Sequence, residues 1–189
     1  MDRRTNRVVL TFAWMSIVCF SNLVLGQAPP SSAEGREAMK KLSKLVGRWE
    51  GEATIQLGPG QAHKVKQIEH VQSKMDGSLL LIEGTGREKS TDGQEKVVFQ
   101  ALAVCNFDPI EKAYKFHAFR DNGLSTVAKT ELTDNGIIWG FEDGRGGKIR
   151  YTITLSNDTW TEIGEYLIEG QPARKFFDMT VKRVADSSK

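Results

Sequence analysis

Gly47-Arg48-Trp49-Glu50-Gly51-Glu52-Ala53-Thr54-Ile55-Gln56-Leu57 alternates with a period of two. Trp49, Gly51, Ala53, Ile55 and Leu57 fall on one face, and Arg48, Glu50, Glu52, Thr54 and Gln56 on the other. This is the pattern of a half-buried strand, not of a helix. A wide Trp beside Gly47 and Gly51 suits a strand packed closely at the closed end of a barrel.

Downstream, turn signals recur from Gly58-Pro59-Gly60 through Met75-Asp76-Gly77, Thr91-Asp92-Gly93, Asp108-Pro109 and Asp121-Asn122-Gly123. They continue at Asp134-Asn135-Gly136, Gly144 to Gly147, Ser156-Asn157-Asp158 and Glu169-Gly170-Gln171. Together they predict about ten strands joined by short turns. Some strands alternate cleanly: Ile149, Tyr151, Ile153 and Leu155 share a face, as do Phe177, Met179, Val181 and Arg183. Strands joined this tightly are antiparallel neighbours, and closing about ten of them into an up-and-down barrel removes two long unpaired edges. A two-sheet sandwich needs longer crossovers than this chain offers. Upstream, an apolar stripe of Ala38, Met39, Leu42, Leu45 and Val46 predicts one N-terminal helix from about Ala33 to Val46, with Ser32 as its cap and Gly47 as its stop.

The first 26 residues read as a signal peptide: Arg3, Arg4 and Arg7, a mostly apolar run from Val8 to Phe20, then Val24-Leu25-Gly26 at the cleavage positions. The apolar run is shorter than the roughly 20 residues of a spanning helix, so no stable membrane anchor is expected. The expected organisation is a signal peptide over 1–26, a spacer over 27–32, one barrel domain with its helix over 33–185 and a tail over 186–189. The destination is the periplasm or the exterior. The chain has 26 Lys+Arg and 24 Asp+Glu; removing three Arg and Asp2 with the signal leaves 23 of each. A neutral chain without a basic, aromatic-interleaved stripe points away from nucleic acid. Cys19 leaves with the signal, so Cys105 is the one remaining thiol and the core must hold without an internal disulfide. Its alternation with Phe99, Ala101, Ala103 and Phe107 marks Cys105 as a small buried hydrophobe.

The helix, Gly47-x-Trp49-x-Gly51, the meander through Asn106-Phe107-Asp108-Pro109 and the last strand ending Met179-Thr180-Val181-Lys182-Arg183 resemble the calycin superfamily, and within it exported bacterial lipocalin-like proteins of unestablished function. The resemblance spans Leu42 to Arg183. It implies that Arg183 covers Trp49, a structural pairing. The chain departs from two ligand-binding relatives. Only Gly58 to Ala62 lies where fatty-acid-binding proteins carry a two-helix lid, and no histidine follows His117 where nitrobindin-like proteins ligate haem. No cofactor is expected.

No metal site is expected either: His63 and His70 are an odd number of residues apart and point to opposite faces of an unbroken strand. Glu162 and Glu165 likewise face oppositely, which argues against a paired acid/base site. Neither a nucleophile elbow nor a Cys-x-x-Cys is present. The aromatic residues carry the remaining functional signal. Ile137, Trp139 and Phe141 share a face, Tyr151 belongs to the next strand, and His117 with Phe119 lies on an earlier one. If His117, Phe119, Trp139 and Tyr151 line one cavity, the barrel binds or carries a small hydrophobic molecule noncovalently. Two alternatives stand beside it: an enzyme acting on such a ligand with His117 as general base, and an interaction module whose aromatic side chains simply fill the barrel.

Overall fold

The computed structural model of the protein describes residues 32–58 and 60–185. The expected signal peptide, the spacer as far as residue 31 and the tail over 186–189 lie outside them. Among the described residues, no helix is long and apolar enough to cross a membrane.

Ten strands run in chain order: β1 (Gly47–Gly58), β2 (Gln61–Lys74), β3 (Leu79–Lys89), β4 (Glu95–Asp108), β5 (Ala113–Arg120), β6 (Ser125–Thr133), β7 (Gly136–Glu142), β8 (Lys148–Ser156), β9 (Thr159–Leu167) and β10 (Arg174–Val184). Each pairs antiparallel with its successor, and β1 pairs with β10 to close the barrel. Closure satisfies the edge hydrogen bonds that an open sheet of this length would leave free. The inner face follows the alternation of the quoted stretch: Trp49 and Ala53 are buried, while Glu50 and Glu52 turn outward.

Gly51 sits where β1 and β10 approach most tightly. A Cβ there would come within 2.2 Å of the Thr180 carbonyl oxygen, so no larger residue fits without moving a backbone. The hairpin between β8 and β9 turns through Asn157 and Asp158, both at positive φ, a conformation that Asn and Asp tolerate.

The N-terminal helix is shorter than its apolar stripe predicts. Helix α1 (Ser32–Lys40) starts at Ser32 itself, and a separate 3₁₀ turn follows at Ser43–Leu45. Tight bonds from Lys41 N to Ala38 O and from Leu42 N to Met39 O close the α-helix early. Tertiary partners then take the carbonyls that a continuing helix would use: Trp49 Nε1 donates to Leu45 O, and Arg183 donates to Lys44 O and Val46 O. The break lets Met39, Leu42 and Leu45 all bury against one end of the barrel. Tyr114 fixes the helix from the other side, donating its hydroxyl to Ala38 O at 2.8 Å.

At this closed end Trp49 meets Trp160 edge to face, with centroids 5.8 Å apart. The Arg183 guanidinium carbon lies 4.1 Å from the centroid of a Trp49 ring. Arg183 Nε also donates to Asp158 Oδ1. Gly47, at φ +132°, leaves the space this guanidinium occupies, because a Cβ there would lie 2.5 Å from Arg183 Nη1.

Candidate functional site

The barrel interior beyond the Trp49–Trp160 contact is lined unevenly. On β7 and β8, Trp139 stacks on Tyr151 with ring centroids 4.2 Å apart and planes at 9°. Phe116 of β5 covers the Trp139 ring at 4.6 Å, and Phe141 continues the row. Phe176 and Phe177 both meet Tyr151 edge on, at 5.6 and 6.1 Å. Consecutive residues reach the same ring because a bulge in β10 between Lys175 and Phe177 breaks the alternation there. Gly164 leaves room for this cluster: a Cβ would meet Phe177 at 2.8 Å and Tyr151 at 2.9 Å. The inner faces of β3 to β6 mix small residues, among them Gly84, Gly86, Ala101, Ala103, Ala118 and Ala128, with the larger Leu80, Ile82, Phe99, Tyr114 and Phe116.

The sequence-predicted site residues are divided by the wall. Trp139 and Tyr151 lie inside and touch. His117 and Phe119 lie on the outer face of β5, because Tyr114, Phe116 and Ala118 take the inner positions. The single cavity expected to hold all four is therefore not formed. Both phases of this strand are aromatic, so hydrophobicity alone does not choose between them. Lys115 chooses: it shares a face with His117 and Phe119, and its ammonium pairs outside with Asp108 and Glu111 at 2.7 Å each. His117 and Phe119 instead help line an open outer groove of about 580 Å³ between β4, β5 and the start of α1, with Val104, Asn106 and Phe107.

The structure adds a polar group at the core that sequence reasoning missed. Gln67 and Glu69 of β2 and Glu162 of β9 are buried on the inner face. Gln67 Nε2 donates to Glu69 Oε1 at 2.7 Å. Glu69 stands opposite Gly84 on β3, where a Cβ would come within 2.9 Å of its carboxylate; the glycine makes the space for the acid. Burial pushes the Glu69 carboxyl up to about 8, the charge of Glu162 adding to the rise and the Gln67 hydrogen bond opposing it. Burial likewise raises Glu162 to about 7, against the pull of the Trp139 and Trp160 indole N–H groups. Those two indoles are turned toward Glu162 without closing a hydrogen bond, and Gln67 Oε1 and Thr130 Oγ1 are also buried without a partner. Burial, reinforced by Glu162, lifts the Tyr151 phenol well above its usual range.

The signal for these acids was present: Glu69 shares its phase with Val65 and Val71, and Glu162 with Trp160 and Gly164. Glu165 faces out and pairs with Arg150 at 2.7 Å. His63 and His70 point to opposite faces of β2, beside Glu88 and Glu83 respectively. Cys105 is buried on the inner face of β4, and burial pushes its thiol up to about 12, leaving no thiolate for nucleophilic chemistry near neutral pH.

The mouth is braced between β7 and β8. Asp143 accepts hydrogen bonds from the Arg145 and Gly147 amides and from the Tyr166 hydroxyl, and Arg174 lies over the Tyr166 ring at 5.3 Å. Arg120, on the inner phase at the end of β5, lies over Phe99 at 4.5 Å.

No family model matches the chain, and no curated protein matches it. Among solved structures it is similar to the crystal structure of Rv2717c from M. tuberculosis, with a TM-score of 0.58 and 13% identity over 78% of this chain and 98% of that one. At this identity the likeness carries the fold alone, that of a closed antiparallel barrel.

Proposed function

We propose that the protein is an exported, calycin-like barrel that holds a small hydrophobic molecule noncovalently in its interior. The observation that carries this reading is the asymmetry of the inner wall: the Trp139–Tyr151 shelf on one side and the Gly and Ala positions of β3 to β6 on the other. Large flat rings supply contact area, and small side chains leave volume for a guest. Trp139 and Tyr151 are the binding residues in this reading, and His117 and Phe119 are not.

The neutral dye N-phenylnaphthylamine should bind the folded protein saturably at one site. Ala101→Phe, which fills the cup from its small-residue wall, should abolish that binding while leaving the fold intact by circular dichroism. The absence of saturable binding by the parent protein would favour the filled barrel, a reading supported by the packing of Trp139 between Phe116 and Tyr151. Export is tested separately. Cleavage after Gly26 should leave Gln27 first, and the intact mass of protein recovered outside the cytoplasm checks it; uncleaved chain in a membrane fraction counts against it.

A further inference from the structure

The core holds two acids and no base to match them. Among the described residues, no Lys, Arg or His is ion-paired with Glu69 or Glu162. The two belong to strands separated by β1 and β10, and the packing of Trp49 on Trp160 brings their surroundings together. Glu69 is in register with Trp49, and Glu162 lies two residues beyond Trp160 on the same face. Gln67, which donates to Glu69, is in register with Gly51 and fully buried, with its carbonyl oxygen unpartnered. The carboxyls of Glu69 and Glu162 and the Gln67 carbonyl oxygen are thus three acceptors whose neighbouring donors are one Gln67 N–H and the two indole N–H groups turned toward Glu162, none of them cationic. The Trp139–Tyr151 shelf begins alongside, since Glu162 is two residues from Gly164, the partner of Tyr151.

Buried carboxylates are retained at low cost only when paired with a cation or protonated. An ammonium has three donors for these three acceptors. Its charge would also ionise Glu162, giving the idle Trp139 and Trp160 N–H groups an anionic acceptor. Aromatic faces attract cations as well. A carboxylate headgroup meets two acids instead, and the nearest cation, Arg120 at the end of β5, is stacked on Phe99 with its charge felt at the Tyr151 phenol.

We propose that Gln67, Glu69 and Glu162 form an ammonium subsite, so that the guest is a small organic amine whose apolar body lies on Trp139 and Tyr151. The assignment rests on the carrier reading above and narrows it to a ligand class. In the empty site near pH 6, burial favours the protonated carboxyls; on binding, one carboxyl gives its proton to solvent as the carboxylate–ammonium contact forms, and the ligand itself makes and breaks no bond. The groups facing this contact are Glu69, Glu162, Gln67, Tyr151 and the indoles of Trp49, Trp139 and Trp160, with the Arg120 guanidinium acting on Tyr151 from the end of β5.

Three matched probes separate the possibilities by calorimetry: phenylethylamine, phenylethyl alcohol and phenylpropanoate. At pH 7 the amine should bind at least about tenfold tighter than the alcohol, and the propanoate weakest. Glu69→Gln combined with Glu162→Gln should erase that preference while the alcohol binds as before. Should that double variant fail to fold, the parent protein still decides: near pH 6 the amine should release protons on binding, seen by comparing buffers of different ionisation enthalpy, and the alcohol should not. Equal affinity of amine and alcohol, or amine binding without proton release, overturns the ammonium subsite while N-phenylnaphthylamine binding upholds the carrier. Failure of the dye and of all three probes overturns both.

Discussion

Two neighbouring groups of side chains inside the barrel follow the same alternation but treat their polar atoms differently. At the closed end Trp49 donates to Leu45 O, and Arg183 serves Lys44 O, Val46 O and Asp158 while covering the Trp49 ring. Beside them, Glu69 has a single hydrogen bond, and the indole N–H groups of Trp139 and Trp160 have none. Satisfied polar groups lock a fold, whereas a buried unsatisfied group costs about 1–3 kcal/mol and calls for a reason. The Trp49–Arg183 cluster is thus built for stability, whereas the acids and indoles packed beside it are groups that stability alone does not require.

The contrast is broken most directly at Trp49. Trp49→Ala should cost about 3–5 kcal/mol in urea unfolding, and a loss below about 1 kcal/mol would mean that the closed end is not the anchor. Arg183→Ala should cost less, about 1–3 kcal/mol, from the ring contact and the hydrogen bonds it strips from two carbonyls. Arg183→Lys should recover only part of this, since an ammonium neither stacks as a plane nor forks to two acceptors; full recovery would reduce the pairing to charge alone.

The acids offer a smaller and opposite effect. Their folded pKa values are raised from 4.5 to about 8 for Glu69 and about 7 for Glu162. Between those limits the folded state holds protons that the unfolded state has lost. Their contribution is therefore unpenalised below about pH 4.5 and declines as pH rises toward 8, by roughly 1.4 kcal/mol per pH unit for each group. Unfolding midpoints measured from pH 4.5 to 8 should fall, and Glu69→Gln with Glu162→Gln should flatten the slope. A parent protein equally stable across that window would place a cation on the acids even without a guest.

The smallest effect is expected outside the wall. His117→Ala and Phe119→Ala should each change stability by no more than about 0.5 kcal/mol and leave dye binding unchanged. Weakened dye binding in either variant would move the site from the interior to the outer groove.

Much of this molecule is legible without coordinates. Turn residues at Asp76-Gly77, Asn122-Gly123 and Asn157-Asp158 fix where strands end, and short turns force antiparallel neighbours, so a chain with about ten such strands has little choice but to close. The faces of Trp49 and Arg183 follow from the clean alternation of β1 and β10. Hydrophobicity does not choose the inner phase of β5, where Phe116 and Phe119 compete on equal terms, and the carboxylates of Asp108 and Glu111 at the turn before the strand decide by holding Lys115 outside. The sequence also does not show that Glu69 and Glu162 share one space. Each looks like an isolated acid in its own strand, and they come near each other only because β1 pairs with β10 to close the barrel, with β2 and β9 flanking that pair. Alternation is a local property that a strand carries by itself, whereas the meeting of two side chains across a barrel depends on closure, which no single strand encodes.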